Sequence, residues 1–316
     1  MLFMRYVAKK TGILIVTLIL ISLLAFLAFQ IIPGDPTTML LGTEYTPERA
    51  AALREQMGLN RNVFVRYWDW LTGFIKGDMG VSYSYSIDVR EVLQGKIAVT
   101  ATLALISWII VTAVSIPLGI ALARYQSGRF DRIGVAMNQV FMAIPSFFLG
   151  ILFTYLFGLL LHWFTPGRYI SIEQDFWRGV GYMFFPALAI SIPKIAKVAK
   201  LLRSSILHEM GMDYVRTAYS HGNSRWMVIS RHVLRNALLP VVTYIAMSLA
   251  DIVASPIIVE QVFVLPGLGR LLIASISNRD YPVALCIVVI VAFVVVFMNY
   301  VADVVTQYID PRVRLG

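Results

Sequence analysis

Few residues in this chain are equipped for covalent chemistry. The four histidines (His162, His208, His221 and His232) form no ligand cluster. His208 and His221 stand 13 positions apart with Gly211 between them. No HExxH, GxSxG or Walker A sequence occurs, which argues against a metal hydrolase, a serine hydrolase or an ATP-binding subunit. Cys286 has no second cysteine to pair with and lies in an apolar run, the setting of a small buried hydrophobe. The charged residues that stand out do so by their place. Lys194, Lys197, Lys200 and Arg203 follow Pro193 at i, i+3 spacing. Two readings stay open: the helix leaves the bilayer here and the long side chains lie in the cytoplasm or snorkel, or they form a basic face on the inner half of a pathway that attracts a carboxylate. Asp251 is the one acid near the middle of an apolar stretch. Facing lipid is expensive, so it is expected to face a cavity or a subunit interface, paired with a ligand ammonium group or with an Arg or Lys. Glu260, at the outer end of the same stretch, is a weaker candidate of the same kind.

The elements that must hold these residues are set by an apolar chain. Of 316 residues, 58% are hydrophobic and 14% charged, against about 45–50% and 25% in soluble domains. That leaves too little polar surface to cover a soluble fold. Gly and Pro number 21 and 13, which excludes a collagen-like or low-complexity chain. Six stretches have the length and apolarity of a membrane-spanning helix: 12–32, 100–123, 133–161, one beginning near 182, 237–259 and 282–305. The first is too long for a signal-peptide core, lacks a small-x-small cleavage site, and is expected to be retained. With the N-terminus inside, segments 1–11, 124–132, 194–236 and 303–316 carry 3, 3, 8 and 2 Lys/Arg, 16 in all, against 5 acids. The opposite segments, 33–98, 162–180 and 260–281, carry 11 against 12. The formal charge of +9 therefore reports orientation, with both termini cytoplasmic, and not nucleic-acid binding.

Residues 33–98 form a long polar external region. Thr46, Pro47 and Glu48 make a helix start: a hydroxyl cap, a proline in the first turn and an acid at the positive dipole end. Asn60 is expected to begin a second helix, on which Val63, Phe64, Tyr67, Trp68, Leu71, Phe74 and Ile75 share one face. That helix lies at the membrane interface, offers a platform to an external protein, or does both. Pro117, Pro145 and Pro193 remove helix hydrogen bonds in or near spans, so kinks are expected there.

The most informative stretch is 213–240, between the fourth and fifth spans. Its sequence predicts two short helices joined at Gly222, the first running to about His221 and the second capped by Asn223 or Ser224 and carrying Arg225, Arg231 and Arg235. The small Thr217 and Ala218 would let another protein approach closely. A short exposed helix-turn-helix on the cytoplasmic face suits docking into a partner's groove.

Arg216-Thr217-Ala218-x-x-x-Gly222, followed by Leu239-Pro240, resembles the EAA loop of ABC-importer permeases, in the form of the peptide and nickel branch and its first permease subunit. Further matches run along nearly the whole chain: Ile31-Ile32-Pro33-Gly34-Asp35-Pro36, Met57-Gly58-Leu59, Gly77-Asp78-Met79-Gly80, Thr100-Ala101-Thr102-Leu103, the 263–272 run Phe-Val-Leu-Pro-Gly-Leu-Gly-Arg-Leu-Leu, Arg279-Asp280-Tyr281-Pro282 and Asp310-Pro311-Arg312. Arg216 replaces the glutamate that names the loop, and Gly222 to Pro240 is longer than in the simplest motif; both fit this branch.

The resemblance implies an all-α polytopic membrane protein with six transmembrane helices and the type I ABC-importer permease fold, in a bacterial inner membrane. Residues 1–32 would be the N-terminal transmembrane helix, 33–98 the external region, 99–306 the permease core with a cytoplasmic coupling loop at 207–236, and 307–316 a cytoplasmic tail. Asp213, Tyr214, Arg216, Thr217, Ala218 and Gly222 would couple to one of two cytoplasmic ATPase subunits. A homologous second permease would complete the translocation path, and an extracytoplasmic binding protein would deliver a di- or oligopeptide. Asp251, Lys194, Lys197 and Glu260 would be its path residues. ATP and Mg would belong to the ATPase subunits, with no cofactor on this chain. A nickel-chelate importer of the same branch is the near alternative. A self-sufficient secondary transporter or channel is the alternative of another class, which inverted repeats would favour and none is evident.

Overall fold

The computed structural model describes residues 2–31 and 35–309. In chain order the helices are α1 (Leu2–Ile31), α2 (Pro36–Leu41), α3 (Pro47–Gln56), α4 (Val63–Lys76), α5 (Val89–Leu93), α6 (Lys96–Arg124), α7 (Arg129–Ala143) and α8 (Ser146–Phe153). After a π-helical stretch at Thr154–Leu160 come α9 (Phe176–Glu209), α10 (Asp213–Ser220) and the single turn α11 (Arg225–Met227). A second π stretch, Val228–Val233, leads into α12 (Leu234–Ala254), α13 (Pro256–Phe263), α14 (Leu268–Ser277) and α15 (Tyr281–Ile309). Among the described residues the only strand-like pairing is an isolated bridge between Val81 and Asp88. Ile32, Pro33 and Gly34, the Asp310-Pro311-Arg312 motif and the tail from 310 onward lie outside the described residues.

Among the described residues five helical runs are long and apolar enough to cross a bilayer: Met4–Ile31, Val89–Arg124, Phe176–Glu209, Arg225–Ala254 and Tyr281–Val305. The remaining expected span, 133–161, is a bent pair in which α7 meets α8 and its π extension at 97°. Pro145 sits at the break. It has no N–H to donate, and Ile144 before it is extended (φ −81°, ψ 122°), as a residue ahead of proline prefers. The 260–281 segment, expected as an outer loop, holds the end of α13 and all of α14, which together pass the same length and composition test. The span expected over 237–259 ends at Ala254, because Ser255 and Pro256 start a new helix.

The chain divides into two compact units, Met1–Val99 with Pro266–Val296, and Thr100–Leu265 with Phe297–Gly316. In the first, Thr46 caps α3 by accepting from the Arg49 amide at 3.2 Å. Asn62, not Asn60, caps α4, accepting from the Phe64 amide at 2.9 Å. The apolar face of α4 splits in two. Tyr67 turns inward, its hydroxyl 2.9 Å from Ser22 Oγ on α1 and its ring 5.5 Å from that of Phe26; Trp70 and Phe74 continue that stripe. Phe64, Trp68 and Ile75 form a neighbouring stripe that stays exposed.

In the second unit α9 is the hub, packing against α7, α8, α12 and α13. Its buried side is built from Met183, Ala187, Ile190, Val198, Leu202 and Ile206. Gly119 of α6 lets α9 come close: a Cβ there would stand 2.9 Å from the Leu202 Cβ and 3.0 Å from the Ala199 carbonyl oxygen, too near for any other residue.

Candidate functional site

The segment after α9 is a short helix bolted to a larger frame. α10 ends at Ser220, and Gly222 takes φ +80°, the left-handed conformation expected of it. Ser224 caps α11 by accepting from the Met227 amide at 3.4 Å, while Asn223 turns back to donate to the Ala218 carbonyl at 2.9 Å. Val215 and Ala218, at 1% and 6% exposure, face inward, with α10 packed on the Val228–Val233 stretch. Asp213, Tyr214, Arg216 and Thr217 are exposed. The expectation that Ala218 faces a partner is therefore corrected: on an eight-residue helix, 215 and 218 share the inward side at i, i+3 spacing, and the outward side belongs to its polar neighbours.

Two polar links not evident in the sequence fix this helix. The Tyr214 hydroxyl donates to Glu209 Oε2 at 2.5 Å, and Asn236 Nδ2 lies 3.5 Å from both the Glu209 carboxylate and the Tyr214 hydroxyl. Burial, and after it the bond to Glu209, holds the Tyr214 phenol above its ordinary value, so it remains a donor at neutral pH. α10 is thereby tied to the end of α9 and the start of α12. Farther along, the Arg124 guanidinium at the end of α6 lies 4.9 Å from the Trp226 ring centroid, holding α11.

The basic residues of α9 part company. Lys194 is half-buried and Lys197 exposed; Lys197 Nζ lies 5.2 Å from the Tyr244 ring centroid on α12, and both lysines are within electrostatic reach of Asp251. Asp251 itself is exposed on this chain. Arg203 does not share that face. It grips Asp131 of α7 through Nε at 2.6 Å and Nη2 at 2.8 Å, and the Ser127 amide adds a third bond to the carboxylate at 2.9 Å. Glu260, expected to face the pathway, is instead 0% exposed and accepts from the Thr100 hydroxyl at 2.6 Å. The reason is its helix: α13 turns its Val259–Glu260 edge into the unit, where a carboxylate needs a donor and finds one on α6.

On the first unit the Arg279-Asp280-Tyr281-Pro282 motif meets the turn that follows Gly77-Asp78-Met79-Gly80. The Asp280 carboxylate is 1% exposed and takes the Ser82 hydroxyl at 2.5 Å and the amides of Tyr83 and Ser84 at 3.0 and 3.2 Å. A buried acid saturated by three donors fixes the 82–84 turn over the start of α15. Among the described residues no three of His, Cys, Asp or Glu come together as a metal site.

Comparison with known proteins agrees with this architecture from end to end. The family described as binding-protein-dependent transport system inner membrane component matches residues 115–315, and the N-terminal component of the same systems matches residues 3–104. A protein of Sinorhizobium fredii described as a peptide ABC transporter permease is 30% identical over 98% of this chain and 99% of its own length. A peptide transport system permease of Brucella abortus is 32% identical over 98% of both chains. The dipeptide transport system permease DppB of Escherichia coli is 32% identical over 98% of this chain and 99% of its own. The nearly all-helical, multi-pass architecture is the type I importer permease fold. The chain belongs to the family of inner membrane components of binding-protein-dependent transport systems.

Proposed function

We propose that this chain forms half of the translocation path of an ATP-driven importer of di- or oligopeptides, and that α10 is the element through which cytoplasmic ATPase subunits act on it. One observation carries the reading: α10 shows Asp213, Tyr214, Arg216 and Thr217 to the outside while Val215 and Ala218 seat it on the chain's own frame. Such a helix is reachable by a partner yet cannot move without moving what it sits on. The Tyr214–Glu209–Asn236 links carry a push on α10 into α9 and α12. Those helices hold the half-buried Lys194 and the exposed Lys197 and Asp251, with both lysines in electrostatic reach of the acid. A peptide has a carboxylate for the lysines and an ammonium group for Asp251, so one push alters both ends of a zwitterion's surroundings. A homologous second permease completes the path against this face and balances charge that a lipid-facing helix could not carry. ATP is hydrolysed on two partner subunits, and an external binding protein delivers cargo. The excess of Lys and Arg in 1–11, 124–132 and 194–236 supports cytoplasmic termini and a cytoplasmic α10.

The peptide cargo has the support of the relatives, two described as peptide and one as dipeptide transport permeases. The test is the reconstituted complex in proteoliposomes with its binding protein. A di- or tripeptide should stimulate ATP hydrolysis and accumulate inside. Stimulation by a nickel chelate with no response to peptides would overturn the cargo assignment, and uptake without ATPase subunits would overturn the mechanism.

A further inference from the structure

The first unit holds a cavity that the transport argument does not use. It lies among α1, α3, α4, the 79–86 turn and the start of α15, with a volume of about 760 Å³, within the roughly 300–1,000 Å³ of small-molecule sites. Phe26, Phe29 and Trp70 give it an aromatic wall; Arg66, Gln30 and Tyr83 give it a polar one. By the charge asymmetry it opens on the external side, in the 33–98 region.

The charges around it are matched except at one point. Arg61 pairs with Asp69 at 2.9 Å, and Arg54 pairs with Asp35. Asp280, beneath the 82–84 turn, is already saturated by three donors. Arg66 differs. Its guanidinium is half-buried, lies 6.0 Å from the Phe26 ring centroid, and bonds through Nη1 to two neutral acceptors, Gln30 Oε1 at 3.1 Å and the Leu59 carbonyl at 3.5 Å. No carboxylate among the described residues pairs with it. A partly desolvated cation without a counter-charge is a costly thing to build into a wall. Held near the Phe26 ring with only Nη1 engaged, it keeps part of its donor fork for a carboxylate or phosphate.

We propose that this cavity binds a small organic monoanion with an aromatic or otherwise apolar body, its anionic head on Arg66 and its body against Phe29 and Trp70. The head chemistry is shared by a soluble aromatic carboxylic acid and by the headgroup of an acidic phospholipid entering from the bilayer surface. Either would fasten α1, α4 and the 79–86 turn together on the outer side, so occupancy is expected to order that region without touching the path residues.

The experiment uses the assembled complex in nanodiscs of zwitterionic lipid, with N-acetyl-L-phenylalanine and its uncharged amide as probes, read by ligand-observed saturation-transfer NMR. The acid should bind and the amide should bind about tenfold more weakly or not at all, the loss of a charge-assisted bidentate contact. Arg66→Gln should remove the preference for the acid, and Arg66→Lys should keep part of it, which separates loss of the cation from collapse of the cavity. Adding phosphatidylglycerol to the nanodiscs distinguishes the source: loss of the acid signal assigns the site to a lipid headgroup, and its persistence assigns it to a soluble ligand. No binding of the acid, equal binding of acid and amide to the unaltered protein, or an unchanged preference in Arg66→Gln would each overturn the proposal.

Discussion

If α10 transmits force, loosening its seat should uncouple the machine before it unfolds it. Val215→Ala is the sharpest perturbation. Val215 is 1% exposed and packs inward from α10, whose neighbour is the Val228–Val233 stretch, so the change deletes two buried carbons. At about 0.8 kcal/mol per buried methylene, the transfer term alone comes to about 1.6 kcal/mol. A partly relaxed cavity raises the cost to about 2 kcal/mol, equal to a roughly 30-fold rise in the undocked population of α10. The Tyr214–Glu209–Asn236 links remain, so the effect should stay local. The assay is hydrogen–deuterium exchange of the complex in nanodiscs, read on peptides covering 213–221, beside transport and ATP hydrolysis in the same preparation. Exchange at 213–221 should accelerate by about the calculated factor, uptake per ATP should fall severalfold, and the spans should exchange as before. Thr217→Ala, on the outward side of the same helix, should leave exchange unchanged. Faster exchange in Val215→Ala with transport and coupling intact would refute the claim that the seat of α10 carries the push.

Three further outcomes follow from the same geometry. Asp131→Asn removes the charge that Arg203 grips at 2.6 and 2.8 Å; with Arg203 24% exposed and Asp131 5%, the cost should fall below the 3–5 kcal/mol of a fully buried pair, at about 2–3 kcal/mol, read as a lowered melting temperature of the purified complex. Asp280→Asn offers amide hydrogens where the Ser82 hydroxyl and the Tyr83 and Ser84 amides need acceptors, so about 1.5–3 kcal/mol should be lost locally and the 78–88 turn should become open to limited proteolysis. Neutralising Lys194 and Lys197 together should cut peptide uptake at least tenfold while the complex still assembles; unchanged uptake would return both lysines to the role of snorkelling side chains.

Much of the fold is legible in the sequence because local chemistry determines it. The apolar runs of α1, α6 and α15 have no competing signal, and the Thr46 cap and the Gly222 turn use residues with few other reasons to be there. What is not legible depends on partners far along the chain. Glu260 looks like a pathway acid until Thr100, 160 positions away, is seen to donate to it. Asp280 and Ser82 meet across 198 positions, though Asp280 sits in a motif recognisable on its own and Ser82 stands just beyond another. The basic run on α9 misleads for a geometric reason. At 100° per residue, i, i+3 spacing drifts by about 60° each step, so Arg203 lies half a turn from Lys194. One residue therefore faces α7 and Asp131 while the other faces α12 and Asp251. Pro145 announces a kink and favours the extended Ile144 ahead of it, but neither residue gives the 97° angle of the break. The α13–α14 region hides because its helices are 8 and 10 residues long, too short for a span-length signal.

The most direct test of the central claim is a cross-link from α10. Cys286, the only cysteine, is buried, so Thr217→Cys places a single accessible thiol on the outward side of the helix. With a short homobifunctional thiol reagent and single cysteines scanned over the ATPase surface, the account predicts a cross-link to the ATPase subunit in the resting complex. It also predicts that locking that contact abolishes peptide-stimulated ATP hydrolysis. Failure of Thr217→Cys to reach any ATPase position, in a complex that still imports peptide, would contradict it.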